Sequence, residues 1–158
     1  MNNLRVPLKG VHFVRGTLFK TMSTFGAKVG EKARVLLVGL DPAKIDFSKT
    51  PFPDLTAEKV MEGLNKDVTS LNTKGYTAEL FLIDGTQEVT KLSDNLKAHL
   101  TGNTDYGCVM IGNGVRSVPS NFLLFEALCN TVHANAPKAK MAFNTSPHDS
   151  LEAIERWC

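Results

Sequence analysis

DYGCVMIGNGVRSVPSNF, residues 105–122, reads as a strand, a loop and a helix start in direct succession. Residues 107–111 form a short apolar run of the kind that fills a buried strand. The run breaks at Gly112-Asn113-Gly114, a polar loop carrying Arg116 follows, and Pro119 and Ser120 open the next helix. Glycines let a backbone come close to a ligand, successive amides form anion-binding nests, and an arginine fork pairs with carboxylate or phosphate. Gly112, Asn113, Gly114 and Arg116 are therefore candidate ligand-binding residues. The segment is neither the dinucleotide fingerprint, which needs a third glycine, nor a P-loop, which needs Gly-Lys-Ser/Thr.

The same grammar extends in both directions. Residues 33–39, ARVLLVG, suit a central strand covered on both faces. Asp41-Pro42 then opens a long connection to Leu55, with three prolines and Phe47 and Phe52; such a length marks a binding loop, a lid or a surface insertion. Thr56 is placed to cap a helix over 57–74, with Glu58 in its first turn and Val60, Leu64, Val68 and Leu71 as its inner stripe. Gly75 ends it. Residues 76–83 make the second strand, which stops at Asp84-Gly85. Thr86 then caps a helix with Val89, Leu92, Leu96 and Leu100 inside, ended by Gly102.

After the third strand, a helix over 120–134 presents Phe122, Phe125, Leu128 and Val132. Pro137 breaks it, and residues 140–143 make a fourth strand. Ser146 as cap, Pro147 in first position and Asp149 in third start the last helix, with Leu151, Ile154 and Trp157 inside. Four β-α units imply a three-layer α/β/α domain with a four-stranded parallel sheet, Rossmann-like or flavodoxin-like. With strand order 2-1-3-4, ligands bind where the order reverses, between strands one and three, so Asp41 and its loop are expected to face residues 112–116.

Bulk properties bound the function classes. The chain has 158 residues, 42% hydrophobic and 22% charged, enough for one domain. Its net charge of +2 hides an asymmetry: residues 1–30 carry five Lys/Arg and no acid, while residues 31–158 carry 13 Lys/Arg against 16 Asp/Glu. We read 1–30 as a basic N-terminal tail or transit peptide and 31–158 as the domain, expected to be intracellular, in the mitochondrion or the cytoplasm. The mild acidity of the domain argues against a nucleic-acid partner. No apolar run approaches the roughly 20 residues that cross a bilayer, so no membrane role is expected. Cys108, Cys129 and Cys158 show no CxxC or metal spacing and read as reduced thiols; neither a metal nor a cofactor is expected.

Two further groups of residues bear on chemistry. Asp41 and Asp84 end neighbouring strands, and paired acids whose pKa values split do acid–base work; such residues more often cap turns or first helical turns. Asn144, Thr145, Ser146 and His148 follow the fourth strand, with Asn144 a candidate ligand contact and His148 the histidine at the expected rim. His99 and His133 stand in last helical turns and read as structural. Asp41, His148 and Ser117 or Ser120 sketch a cofactor-free hydrolase or lyase, although no GxSxG elbow exposes a serine. The fourth strand is an edge, which suits a dimerising scaffold or homodimer.

VLLVGLDP, GYTAELFLIDGTQEV, DYGCVMIGNG and NAPKAKMAFNTSP together resemble the response-regulator receiver layout, over about residues 33–157. The resemblance implies a flavodoxin-like fold with a phosphoacceptor site, and the chain departs from it at that site. Receivers carry an acidic pair where this chain has Gly39-Leu40, leaving Asp41, and end strand three on an aspartate where it has Gly112-Asn113. Thr145 or Ser146 matches the hydroxyl position, and the fifth strand with its lysine has no counterpart. Carboxylate-held Mg²⁺ needs the missing acids, so the resemblance implies a degenerate receiver-like shell. The chain is also similar to a family of small bacterial and fungal proteins with GxGxR and NTxP segments, a likeness that adds no chemistry. The leading expectation is thus a domain that binds a small anionic ligand or a protein partner at the carboxyl edge of its sheet, without phosphoacceptor chemistry.

Overall fold

Strand β1 (Arg34–Leu40) is the centre of the computed structural model, which describes residues 32–49, 54–102, 105–146 and 148–158. The basic segment over 1–30, Phe52 and Pro147 lie outside the described residues. β1 pairs in parallel with β2 (Thr77–Ile83) on one side and β3 (Tyr106–Ile111) on the other, and β4 (Lys140–Phe143) adds to β3. The sheet order is 2-1-3-4, the order expected from the sequence. Helices α1 (Ala57–Thr73), α2 (Val89–Gly102), α4 (Phe122–Asn135) and α5 (Ser150–Glu155) cover the two faces, and a single turn, α3 (Asn113–Arg116), follows β3.

The period of two along each strand divides the core. Leu36, Val38, Val109 and Ile111 point to the face covered by α2 and α4. Val35, Leu37, Cys108, Met110 and Ala142 point to the face covered by α1 and α5. Side chains that alternate on central strands are buried whichever way they point, which is why β1 reads as an unbroken apolar run. No helix among the described residues is long and apolar enough to cross a membrane.

Several local expectations shift. Leu92, Leu96 and Leu100 of α2 are buried, but on α1 only Leu71 is; Val60, Leu64 and Val68 are half-buried, because α1 lies over the edge strand β2 and beside the 3₁₀ turn Pro42–Lys44. α4 begins after a 3₁₀ turn at Pro119–Asn121, and its buried row is Leu124, Leu128 and Val132, spaced four apart. Phe125 flanks that row and meets the Phe143 ring edge-on, while Phe122 is 63% exposed. Trp157 also faces outward, and Ala153 and Ile154 supply the inner face of α5. α5 starts three residues later than the Ser146 cap implies, at Ser150. Thr86 caps no helix, since α2 begins at Val89 and the Thr86 hydroxyl donates to Asp84. Gly75 does close α1, with φ of 91°.

Gly107 marks an irregularity within β3. The register with β1 runs Arg34 to Tyr106 and then Val35 to Cys108, leaving Gly107 as the extra residue of a bulge. A Cβ there would lie 2.5 Å from the Ala33 Cβ, a contact that no flexible side chain relieves. Gly107→Ala is therefore expected to cost about 1–3 kcal/mol in chemical denaturation, the range for overpacking. Adding Ala33→Gly should recover most of the loss; a double variant no more stable than Gly107→Ala would show that the clash is not the cause.

Candidate functional site at the carboxyl edge

Gly112 ends β3 beside β1: its N–H donates to the Val38 carbonyl at 2.8 Å, and a Cβ on it would stand 3.3 Å from that oxygen. The chain then turns directly into α3 in place of the expected loop. Residues 113–116 consequently project from the end of the third strand over a junction where the strands are still paired.

Asn144, just past β4, holds this turn. Its Oδ1 accepts the Asn113 N–H at 2.7 Å, and its Nδ2 donates to the Ser146 carbonyl at 2.9 Å and the Ser150 Oγ at 3.1 Å. At 6% exposure its amide is used within the fold, a placement that the ligand-contact expectation for Asn144 did not include. Asn113 is engaged too: its Oδ1 accepts from Arg116 Nη2 at 3.1 Å and from the Ser117 hydroxyl. Arg116 Nη2 also donates to the Asn144 carbonyl at 3.0 Å.

The guanidinium of Arg116 is therefore anchored by one nitrogen to two neutral oxygens. Its Nε and Nη1 have no hydrogen-bond partner, and it makes no ion pair, among the described residues. Both bidentate forks of a guanidinium include Nη2, so a ligand here meets single N–H groups unless it displaces Asn113 or Asn144. Arg116 is exposed, as is Gly114.

The remaining candidates are spread along the same edge. Asp41 caps the turn Pro42–Lys44 by accepting the Ala43 N–H at 3.0 Å, and that turn packs on α1. Asp84 accepts from the Thr86 hydroxyl at 2.6 Å, the Thr86 N–H at 3.1 Å and Gln87 Nε2 at 3.2 Å. The Thr86 bonds, helped by Lys44, hold the Asp84 carboxyl below its usual range. That suits an ionised turn anchor and not one half of a proton-sharing pair. His148 is exposed beyond β4. β3 separates β1 from β4, so the strands that lead to Asp41 and His148 stand about 10 Å apart. The Ser117 hydroxyl is committed to Asn113. Among the described residues no hydrogen bond joins Asp41, His148 and Ser117 or Ser120 to one another.

No protein-family model matches this chain, and no curated protein matches it. The site is therefore described by its own residues. Among those described, no group of three His, Cys, Asp or Glu side chains is arranged to hold a metal.

Two polar clusters escaped the sequence reading. Below Asn144, the Ser150 hydroxyl donates to Asp67 at 2.5 Å, and the Asp149 carboxylate collects Thr145 N–H at 3.1 Å, Ser146 N–H at 2.9 Å and the Thr145 hydroxyl at 2.8 Å. Burial works against the Asp149 charge, but these hydrogen bonds together outweigh it and lower its pKa. At the opposite, amino end of the sheet, Glu79 accepts from Arg34 at 3.1 Å and from the Tyr106 hydroxyl, which also meets His99 Nε2 at 2.9 Å. Burial and the bond to Glu79 push the Tyr106 phenol up. A glutamate inside the apolar run YTAELFLI was the available signal for this cluster.

Asp67 gives a pH prediction. Burial raises its pKa above 3.8, and the Ser150 hydroxyl and the nearby His148 offset only part of this. The native state thus holds the proton more tightly than the unfolded chain, so the stability linked to it is full below the unfolded value and is lost as pH rises through the native one. Asp67→Asn keeps an acceptor for Ser150 and carries no charge. Its melting temperature relative to the parent is expected to climb between acid and neutral pH. A difference that is flat with pH would contradict the assignment.

Proposed function

We propose that the chain is a Rossmann-like domain that binds a small anionic ligand at the carboxyl edge of its sheet, without phosphoacceptor chemistry and with Arg116 as the charged contact. One observation carries this reading: Arg116 is held in place by Asn113 and Asn144, with no acidic partner among the described residues and with Nε and Nη1 left over. Keeping an uncompensated cation in a fixed position at a strand switch point suits recognition of a carboxylate or phosphate. The receiver-like resemblance fits as a shell that has lost its phosphoacceptor, since Gly112-Asn113 stands where an aspartate would be needed.

A protein partner on the same edge is the second reading. It is favoured by Val118, Phe122 and Leu123, which are 41%, 63% and 66% exposed shortly after Arg116. An acidic segment of such a partner would place its carboxylate on the guanidinium and its apolar groups on these side chains.

The test is isothermal titration with inorganic phosphate, nucleoside monophosphates and small dicarboxylates. Arg116→Gln, which removes the charge, is expected to weaken whichever anion binds by about tenfold or more, the loss of one charged hydrogen bond. Full affinity in Arg116→Gln, or no binding by the parent chain across the panel, would overturn the small-ligand reading.

A further inference from the structure

Cys108 is buried in β3 on the face covered by α5, in one cluster with Ala153 and Ile154. Cys158 comes one helical turn after Ile154, and its N–H donates to the Ile154 carbonyl at 2.9 Å. Residues four apart on a helical turn share a side, so Cys158 continues the row that Ile154 sets against β3. Its Sγ approaches the carbonyl oxygen of Gly107, the residue before Cys108, at 3.8 Å. Burial first, and then the neighbouring Cys158, pushes the Cys108 thiol up. Both are free thiols, Cys158 exposed and Cys108 enclosed. Cys129 packs against the cluster on the opposite face of the sheet.

We propose that Cys158 and Cys108 are a modification site for small-molecule disulfides such as oxidised glutathione, which convert the pair into a bond stapling the end of α5 to β3. Cys158, the accessible sulfur, reacts first as thiolate. It forms an S–S bond to one half of the small disulfide, and the other half leaves and takes up the proton that Cys158 gave up. Cys108 then gives up its proton and attacks the Cys158 Sγ, expelling the second half as a thiol. Two protein thiols are oxidised to one disulfide, and the small disulfide is reduced to two thiols. Because burial keeps Cys108 protonated, the second step is the slow one and the mixed disulfide at Cys158 comes first.

The test is incubation of the full chain with oxidised glutathione, acid quenching, intact-mass measurement and non-reducing peptide mapping. The folded chain is expected to gain one glutathione at Cys158 and then lose it as a Cys108–Cys158 linked peptide appears, in about tenfold excess over the other two pairings. In urea the shorter loop favours Cys108–Cys129 instead, since closure entropy grows with loop length. Cys158→Ser should abolish the linked peptide, and Cys129→Ser should leave it unchanged. An adduct on Cys158 that persists with no internal bond, or native pairings in the same proportions as in urea, would overturn the proposal.

Discussion

Where β3 leaves its ladder, the Asn113 amide needs an acceptor, and the backbone of the next strand is too short to supply one. The Asn144 carboxamide, 31 residues later and one strand over, fills that role at 2.7 Å. Its other end grips the Ser146 carbonyl and the Ser150 hydroxyl, so one buried side chain joins the β3–α3 turn to the β4–α5 turn. Buried polar groups that are fully satisfied specify one arrangement, and partly satisfied ones are costly. The position of Arg116 follows, because both oxygens that hold its Nη2 belong to this junction.

The two ends of the sheet consequently differ in kind. At the amino end, opposite charges meet directly: Arg34 reaches Asp105 at 2.9 Å and Glu79 at 3.1 Å, and its guanidinium lies over the Tyr106 ring. That network pairs acid with base directly and suits structure. At the carboxyl edge Asp41, Asp84 and Asp149 each close a local turn, while Arg116 is fixed by neutral groups. The contrast is what gives the Arg116 edge its claim to a ligand.

The fold was legible because its signals are local and repeated. Apolar runs ending at Asp41, Asp84 and Gly112, alternating with the α2 stripe and the Gly75 stop, leave few topologies open, and the 2-1-3-4 order is among them. Helix starts were read less well. Thr86 and Ser146 look like caps in sequence, but Asp84 and Asp149 take up the hydroxyls and amides of their turns, and the helices begin later. In α4, Leu128 and Val132 lie inside as expected, but Leu124, four residues before Leu128, takes the inner place, and Phe122, six before it, falls on another side. For the site, the segment 112–116 and Asn144 were named, but not how they connect. Pairings such as Asn113 with Asn144, or Ser150 with Asp67 across 83 positions, depend on tertiary packing and have no periodicity to betray them.

The junction at Asn144 is tested most directly by amide hydrogen exchange at single-residue resolution on the folded chain. The Asn113 amide is expected to be protected on the scale of the β3 core, because its acceptor is buried and part of a satisfied network. The neighbouring Gly114 amide, without a partner among the described residues, should exchange close to the unprotected rate. Equal, fast exchange at Asn113 and Gly114 would contradict the account, for the turn carrying Arg116 would then not be fixed to β4.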